Sequence, residues 1–150
     1  MLQKLALVFT ILFLTSRPLH AEPIQIEPVN APWWRERHEQ YVRQAQVENI
    51  QVLFLGDSIT DLWRSEGKVV WLKTFFPLAA ANFGIGGDKV ENLRWRVQNG
   101  ELERIKPQVV VLLIGTNNLA DNSVEEILAA EKQLISEIHQ HLPGARILLH

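Results

Sequence analysis

The chain has no cysteine among its 150 residues, so no disulfide braces it and no thiolate metal site can form. Excess positive charge is also missing: 15 basic residues face 17 acidic ones, for a formal net charge of −2, which excludes a general attraction to nucleic acid or to anionic membranes. There is no internal repeat and no low-complexity tract. The longest apolar run, Leu5 to Leu14, is too short for a membrane span of about 20 residues and is followed by Arg17-Pro18. What remains is a composition of 47% hydrophobic and 21% charged residues, which suits one globular domain with a sizeable core.

The two ends differ from the middle. Lys4, the apolar run and Leu19-His20-Ala21 have the order of a secretory signal peptide, predicted over residues 1–21 with cleavage after Ala21 and a secreted or periplasmic destination. Removing it takes Lys4 and Arg17 but no acidic residue, and moves the net charge to −4. At the other end Arg146 to His150 reads as a strand with no turn or cap after it, so the sequence is expected to be a fragment or a truncated protein.

Between these ends a rhythm of strands and helices is expected. Residues 22–48 form a proline-rich lead-in, expected to be a mobile arm, and a helix from Trp33 to Val47 whose Trp34, His38, Tyr41 and Ala45 share the face packed on the first strand. His38 is placed at the edge of that face and in solvent. Residues 49–150 are assigned to the main domain. Strands are predicted at Ile50 to Gly56, Leu78 to Phe83, Gln108 to Ile114 and from Arg146. Short helical pieces fall at Ile59 to Arg64 and Lys68 to Phe76, whose aromatics are read as core. A helix carrying Val90, Leu93, Val97 and Leu102 ends near Asn99-Gly100, and a long one runs from the N-cap Ser123 to His141. Alternating strand and helix implies a parallel sheet with right-handed crossovers, a three-layer α/β/α domain.

Three of the strands end in polar, glycine-bearing loops: Gly56-Asp57-Ser58, Gly84 to Asp88, and Gly115 to Asn118. In a parallel sheet all three emerge on one side and can converge on one substrate. Ser58 alone could be a simple helix cap, the glycines a phosphate-cradling turn, and the asparagines a left-handed turn. Together they supply what acyl transfer needs, namely a nucleophile and several N–H donors for an oxyanion. Against a phosphate, the glycines lack full Gly-x-Gly-x-x-Gly spacing and are followed by Asp88.

Gly56-Asp57-Ser58, Asn82-Phe83-Gly84-Ile85-Gly86-Gly87-Asp88 and Gly115-Thr116-Asn117-Asn118, in this order and spacing, resemble the first three sequence blocks of the SGNH hydrolase (GDSL esterase/lipase) family, in particular the catalytic subunits of platelet-activating factor acetylhydrolase. Leu93-Arg94-Trp95-Arg96, Asn99-Gly100-Glu101-Leu102-Glu103 and Lys106-Pro107 extend the likeness over Val52 to His150. The resemblance implies a flavodoxin-like sheet of order 2-1-3-4-5 whose last strand and helix are missing here. It implies Ser58 as nucleophile, with the Gly87 N–H and the Asn117 side-chain amide joining the Ser58 N–H in an oxyanion hole. No cofactor or metal is implied.

The family's general base and its carboxylate partner come from an Asp-x-x-His, which occurs nowhere in these residues. His139 and His141 are expected at the wrong end of their helix, and His150 at the edge of an unfinished site. The reading is a serine esterase that removes small acyl groups from a lipid or carbohydrate ester, with this chain expected to be nearly inactive as it stands. A non-catalytic carbohydrate- or lipid-binding protein and a flavodoxin-like nucleotide-binding module are the alternatives. The expected partner is a small-molecule ester, with neither nucleic acid nor a stable membrane anchor, and with a homodimer left open.

Overall fold

The computed structural model describes residues 23–150; the signal-peptide assignment lies outside them. Strands β1 (Val52–Gly56), β2 (Ala80–Gly84), β3 (Val109–Leu113) and β4 (Arg146–Leu149) form one parallel sheet in the order β2-β1-β3-β4. Chain order reverses direction between β1 and β3, as in doubly wound sheets. Among the described residues five α-helices accompany the strands: α1 (Pro32–Val47), α2 (Ser58–Asp61), α3 (Lys68–Thr74), α4 (Val90–Arg96) and α5 (Val124–His141).

The sheet's two faces follow from the period of two along each strand. Leu53 and Leu55, Ala81 and Phe83, and Val110 and Leu112 point to one face, where α1, α4 and α5 bury them in a core completed by Trp34, Leu93, Leu134 and Ile138. The opposite face carries Phe54, whose ring meets Trp71 and Phe75 edge-on at 5.0 Å, with Trp63 closing the group. These rings are packing, as the sequence suggested, but Phe76, also read as core, is exposed because the 3-10 turn Phe76–Leu78 carries it to the surface.

Helix α5 has the strongest local signals. Ser123 accepts from the Glu126 N–H while Glu126 accepts from the Ser123 N–H, a reciprocal capping box, and Ile127, Ala130, Leu134 and Ile138 give one buried stripe. Arg94 of α4 grips Glu137 of α5 through two bonds of 3.1 and 2.6 Å.

The structure departs from the sequence reading in several places. β2 begins at Ala80 rather than Leu78, because Phe76–Leu78 is a 3-10 turn ending on Ala79 in the left-handed region. α4 stops at Arg96 and gives way to a wide turn over Val97–Glu101, whose Gly100 has φ of 94°. The lead-in is no free arm: Ile24 and Val29 pack on the core, and the Glu27 carbonyl accepts from Asn92 Nδ2 at 3.0 Å. α1 packs on the wide turn, and its Tyr41 stacks on Phe83 of β2 at 4.6 Å. His38 is buried, not solvated, between Glu101 Oε2 at 3.2 Å and the Asn99 carbonyl at 3.1 Å. Among the described residues no helix is long and apolar enough to cross a membrane.

Candidate active site

Gly56 pairs with Gly84 on one side and with Leu113 on the other, so three strands end at one level and release their loops together. The loop after β1 turns at once into α2. Its N-cap is Asp57, fully buried, whose carboxylate accepts from the Ile59 N–H at 2.9 Å. Burial pushes the Asp57 carboxyl up, and that N–H works against the rise. Since Asp57 performs the capping, the Ser58 hydroxyl is not consumed by it. Ser58 is the first helical residue and is half-buried, with its N–H at the positive end of the turn.

This turn sits very close to β2. A Cβ on Gly84 would lie 2.5 Å from the Asp61 nitrogen and 2.8 Å from the Thr60 carbonyl carbon, so only glycine admits the approach. The Gly84 carbonyl, on the outer edge of the sheet, accepts from Tyr41 Oη at 2.6 Å and Arg64 Nη2 at 3.0 Å. Arg64 also contacts the Tyr41 hydroxyl and the Asp61 carboxylate.

In the second loop Gly86 faces Ser58, since a Cβ there would come 3.9 Å from Ser58 Cβ. Gly87 is exposed with φ of 83°, a conformation that places its N–H where an L-residue would be strained. In the third loop Asn117 Nδ2 donates to the Asp88 carbonyl at 2.8 Å, which draws its amide to the Gly87-Asp88 turn and leaves a second N–H. The structure therefore brings Ser58, Gly87 and Asn117 to one end of the sheet, from three different loops.

Asn118 is a residue the sequence left undistinguished from its neighbour. It is fully buried, its Oδ1 accepts from the Val90 N–H at 2.9 Å, and its Nδ2 donates to Glu91 Oε2 at 2.8 Å and Asn122 Oδ1 at 3.1 Å. Lys89 N–H is likewise taken by Asn92 Oδ1 at 2.9 Å. With these first N–H groups of α4 already occupied, the glycine loop has little to offer a phosphate, which counts against the nucleotide-binding alternative.

Beneath the second loop lies a charged cluster that sequence reasoning missed. Asp88 accepts from Trp34 Nε1 at 2.6 Å, Arg96 Nη2 stands 2.9 Å from Asp88 Oδ2, and Arg96 Nη1 is 2.5 Å from Glu101 Oε1; all four side chains are buried. Burial raises the Asp88 carboxyl to about 6, although Arg96 and Trp34 pull it down. Burial works against the Arg96 charge, but Glu101 and Asp88 outweigh it and hold the guanidinium protonated. The available signal was position: Arg96 follows Leu93 by three residues and precedes Val97, on the apolar side of α4.

No histidine among the described residues is hydrogen-bonded to Ser58. His38 is engaged with Glu101. His139 and His141 are exposed at the far end of α5, and His150 continues an edge strand separated from β1 by β3. A cleft of about 690 Å³ lies at the opposite end of the sheet, bounded by residues 102–108 and 140–145, and does not include Ser58.

A doubly wound parallel sheet defines an α/β protein, and open sheets of this class bind their ligands at the carboxyl ends of the strands, where Ser58 lies. Residues 54–150 match the GDSL-like Lipase/Acylhydrolase family, and the chain belongs to it. The platelet-activating factor acetylhydrolase IB subunit alpha2 of Homo sapiens is 39% identical over 116 residues, covering 77% of this chain and 49% of that protein. The alpha1 subunit of Bos taurus is 35% identical over the same shares. The chain thus spans about half the length of the curated relatives it matches. Among solved structures, a Streptococcus pneumonia protein described as a platelet activating factor superposes with TM-score 0.59 and 25% identity, over 77% of this chain and 52% of that one. A GDSL-like lipase from Bacteroides thetaiotaomicron gives TM-score 0.60 over 75% and 56%; at 16% identity it supports the fold alone.

Proposed function

We propose that the protein is a serine esterase in which Ser58 attacks a small acyl group carried on a lipid or carbohydrate ester. The observation that carries this reading is the common level of the three strand ends, with Asp57 capping α2 so that the Ser58 hydroxyl stays available. Ser58 Oγ adds to the acyl carbonyl, the carbonyl oxygen becomes an oxyanion, and the Ser58 N–H, the Gly87 N–H and the Asn117 amide donate to it. Collapse releases the alcohol and leaves an acyl-serine, which water hydrolyses to the free acid. Membership of an acylhydrolase family supports the reaction type, and the relatives described as acetylhydrolases favour a short acyl group.

The proton leaving Ser58 Oγ needs a base, and no Asp-x-x-His occurs in these 150 residues. That absence favours a second reading, a protein that keeps an oxyanion-binding pocket and binds a lipid or carbohydrate without turning it over. Full-length protein incubated with p-nitrophenyl acetate and a fluorophosphonate probe separates the two. The esterase reading expects hydrolysis and labelling that both vanish in Ser58→Ala. Labelling that survives the substitution, or well-folded protein that neither hydrolyses nor labels, refutes it. The signal-like residues 1–21 place this activity outside the cytoplasm in our reading, which N-terminal sequencing of exported protein beginning at Glu22 would support.

A further inference from the structure

We propose that Arg96 is a positioning residue for the oxyanion-binding loop, holding residues 85–88 in register with the ends of β1 and β2; this rests on the esterase reading of that loop. Arg96 is completely buried, and its guanidinium reaches both strand ends at once. Nη1 donates to the Phe83 carbonyl at 2.9 Å, and Nη2 to the Gly56 carbonyl at 3.4 Å. Gly56 lies two residues before Ser58, and Phe83 immediately precedes Gly84. The same Nη2 stands 2.9 Å from Asp88 Oδ2, next in sequence to Gly87.

The remainder of the cluster orients these groups. Glu101 Oε1 accepts from Arg96 Nη1 at 2.5 Å, and Glu101 Oε2 faces His38 Nδ1 at 3.2 Å. Trp34 Nε1 takes the other Asp88 oxygen. Asp88 then passes the constraint outward, because its main-chain carbonyl accepts from Asn117 Nδ2. One guanidinium therefore touches the strand that delivers the nucleophile, the strand that delivers the glycine loop, and the residue to which the Asn117 amide is moored.

Stability is a weak reason for such a cluster, since buried ion pairs are commonly replaceable by apolar residues without loss. Arg96 Nε has no hydrogen-bond partner, and Asp88 Oδ2 is met only by the Arg96 charge at 2.9 Å, so the cluster is not built for complete satisfaction of its polar atoms. What it provides is a planar fork aimed at several fixed acceptors, which lysine cannot reproduce. A displacement of about 1 Å in a positioned group can lower a rate by about a hundredfold.

The test uses full-length protein, with Arg96→Lys and Arg96→Met compared with wild type for kcat and KM on p-nitrophenyl acetate and for amide hydrogen exchange. The expected result is a kcat lower by roughly a hundredfold, with KM changed less than about threefold, in variants that still unfold cooperatively. Exchange of the amides at 85–88 should quicken while those of β3 stay protected. Folded variants that keep wild-type kcat and wild-type exchange at 85–88 overturn the inference and leave Arg96 with a merely structural role. If wild type shows no Ser58-dependent hydrolysis, the esterase reading fails by itself, and the exchange data still decide whether Arg96 holds the loop. Should neither Arg96 variant fold, Asp88→Asn keeps the side chain's shape while removing the charge that faces Arg96 Nη2; faster exchange at 85–88 supports the inference, and unchanged exchange overturns it.

Discussion

Asp88 should make the protein less stable as pH rises from about 4 to about 6, the reverse of what a salt-bridged aspartate usually does. Its carboxyl is raised to about 6 by burial, against an ordinary value of about 3.9. Between these values the native protein keeps a proton that the unfolded chain has already lost. Native protein binds more protons there, so the free energy of unfolding falls with increasing pH. The contribution is fully present below about pH 4 and is lost by about pH 6. Two pH units correspond to about 3 kcal/mol, at about 1.4 kcal/mol per unit. The groups facing Asp88 are Arg96 and Trp34, with Glu101 behind Arg96 and His38 behind Glu101. Asp88→Asn cannot titrate, so subtracting its pH curve from that of wild type isolates the coupled cluster from the remaining carboxylates. Denaturant unfolding followed by tryptophan fluorescence at intervals from pH 4 to 7.5 would measure both curves. Wild type should lose about 3 kcal/mol relative to Asp88→Asn across this window. A flat difference refutes the reasoning, and a difference that grows with pH would mean that the Arg96 charge outweighs burial.

Three further outcomes are expected. Gly84→Ala should lower stability by about 1–3 kcal/mol or more in chemical denaturation, because its Cβ would press on the backbone of Thr60 and Asp61 rather than on a flexible side chain. Ser123→Ala should cost about 1 kcal/mol through loss of the α5 capping box, with no change in the shape of the site, as read by fluorophosphonate labelling of full-length protein. These 150 residues, in which no described histidine bonds to Ser58, should hydrolyse p-nitrophenyl acetate at a rate within about tenfold of their Ser58→Ala variant; a much larger Ser58-dependent rate would show that Ser58 finds a base among them.

Much of the fold was legible because its signals are local. The apolar run of β3, the capping residues of α5 and the three glycine-bearing strand ends each state their structure within a few residues. The parallel order then follows from the alternation of strand and helix. Where local signals competed, the reading slipped: Leu78 is apolar enough for a strand, yet Pro77 and the left-handed Ala79 keep it in a turn. The charged cluster was illegible for a different reason. Trp34 and Asp88 are 54 positions apart, and a histidine among arginines and glutamates on a helix is ordinarily solvated. Position alone puts His38 and Arg96 on the apolar sides of their helices; only tertiary packing reveals Glu101 and Asp88, the partners that let them be buried there.

The pairing of Gly56 with Gly84 and Leu113 makes strand length a ruler graduated in whole residues. One residue added within β1 would advance Ser58 by about 3.3 Å and turn it to the other face of the sheet, whereas the loops beyond it could change length without that penalty. Insertions and deletions in proteins of this architecture are therefore tolerable after the loops have delivered their donors, and not within the five-residue segments that set their starting height.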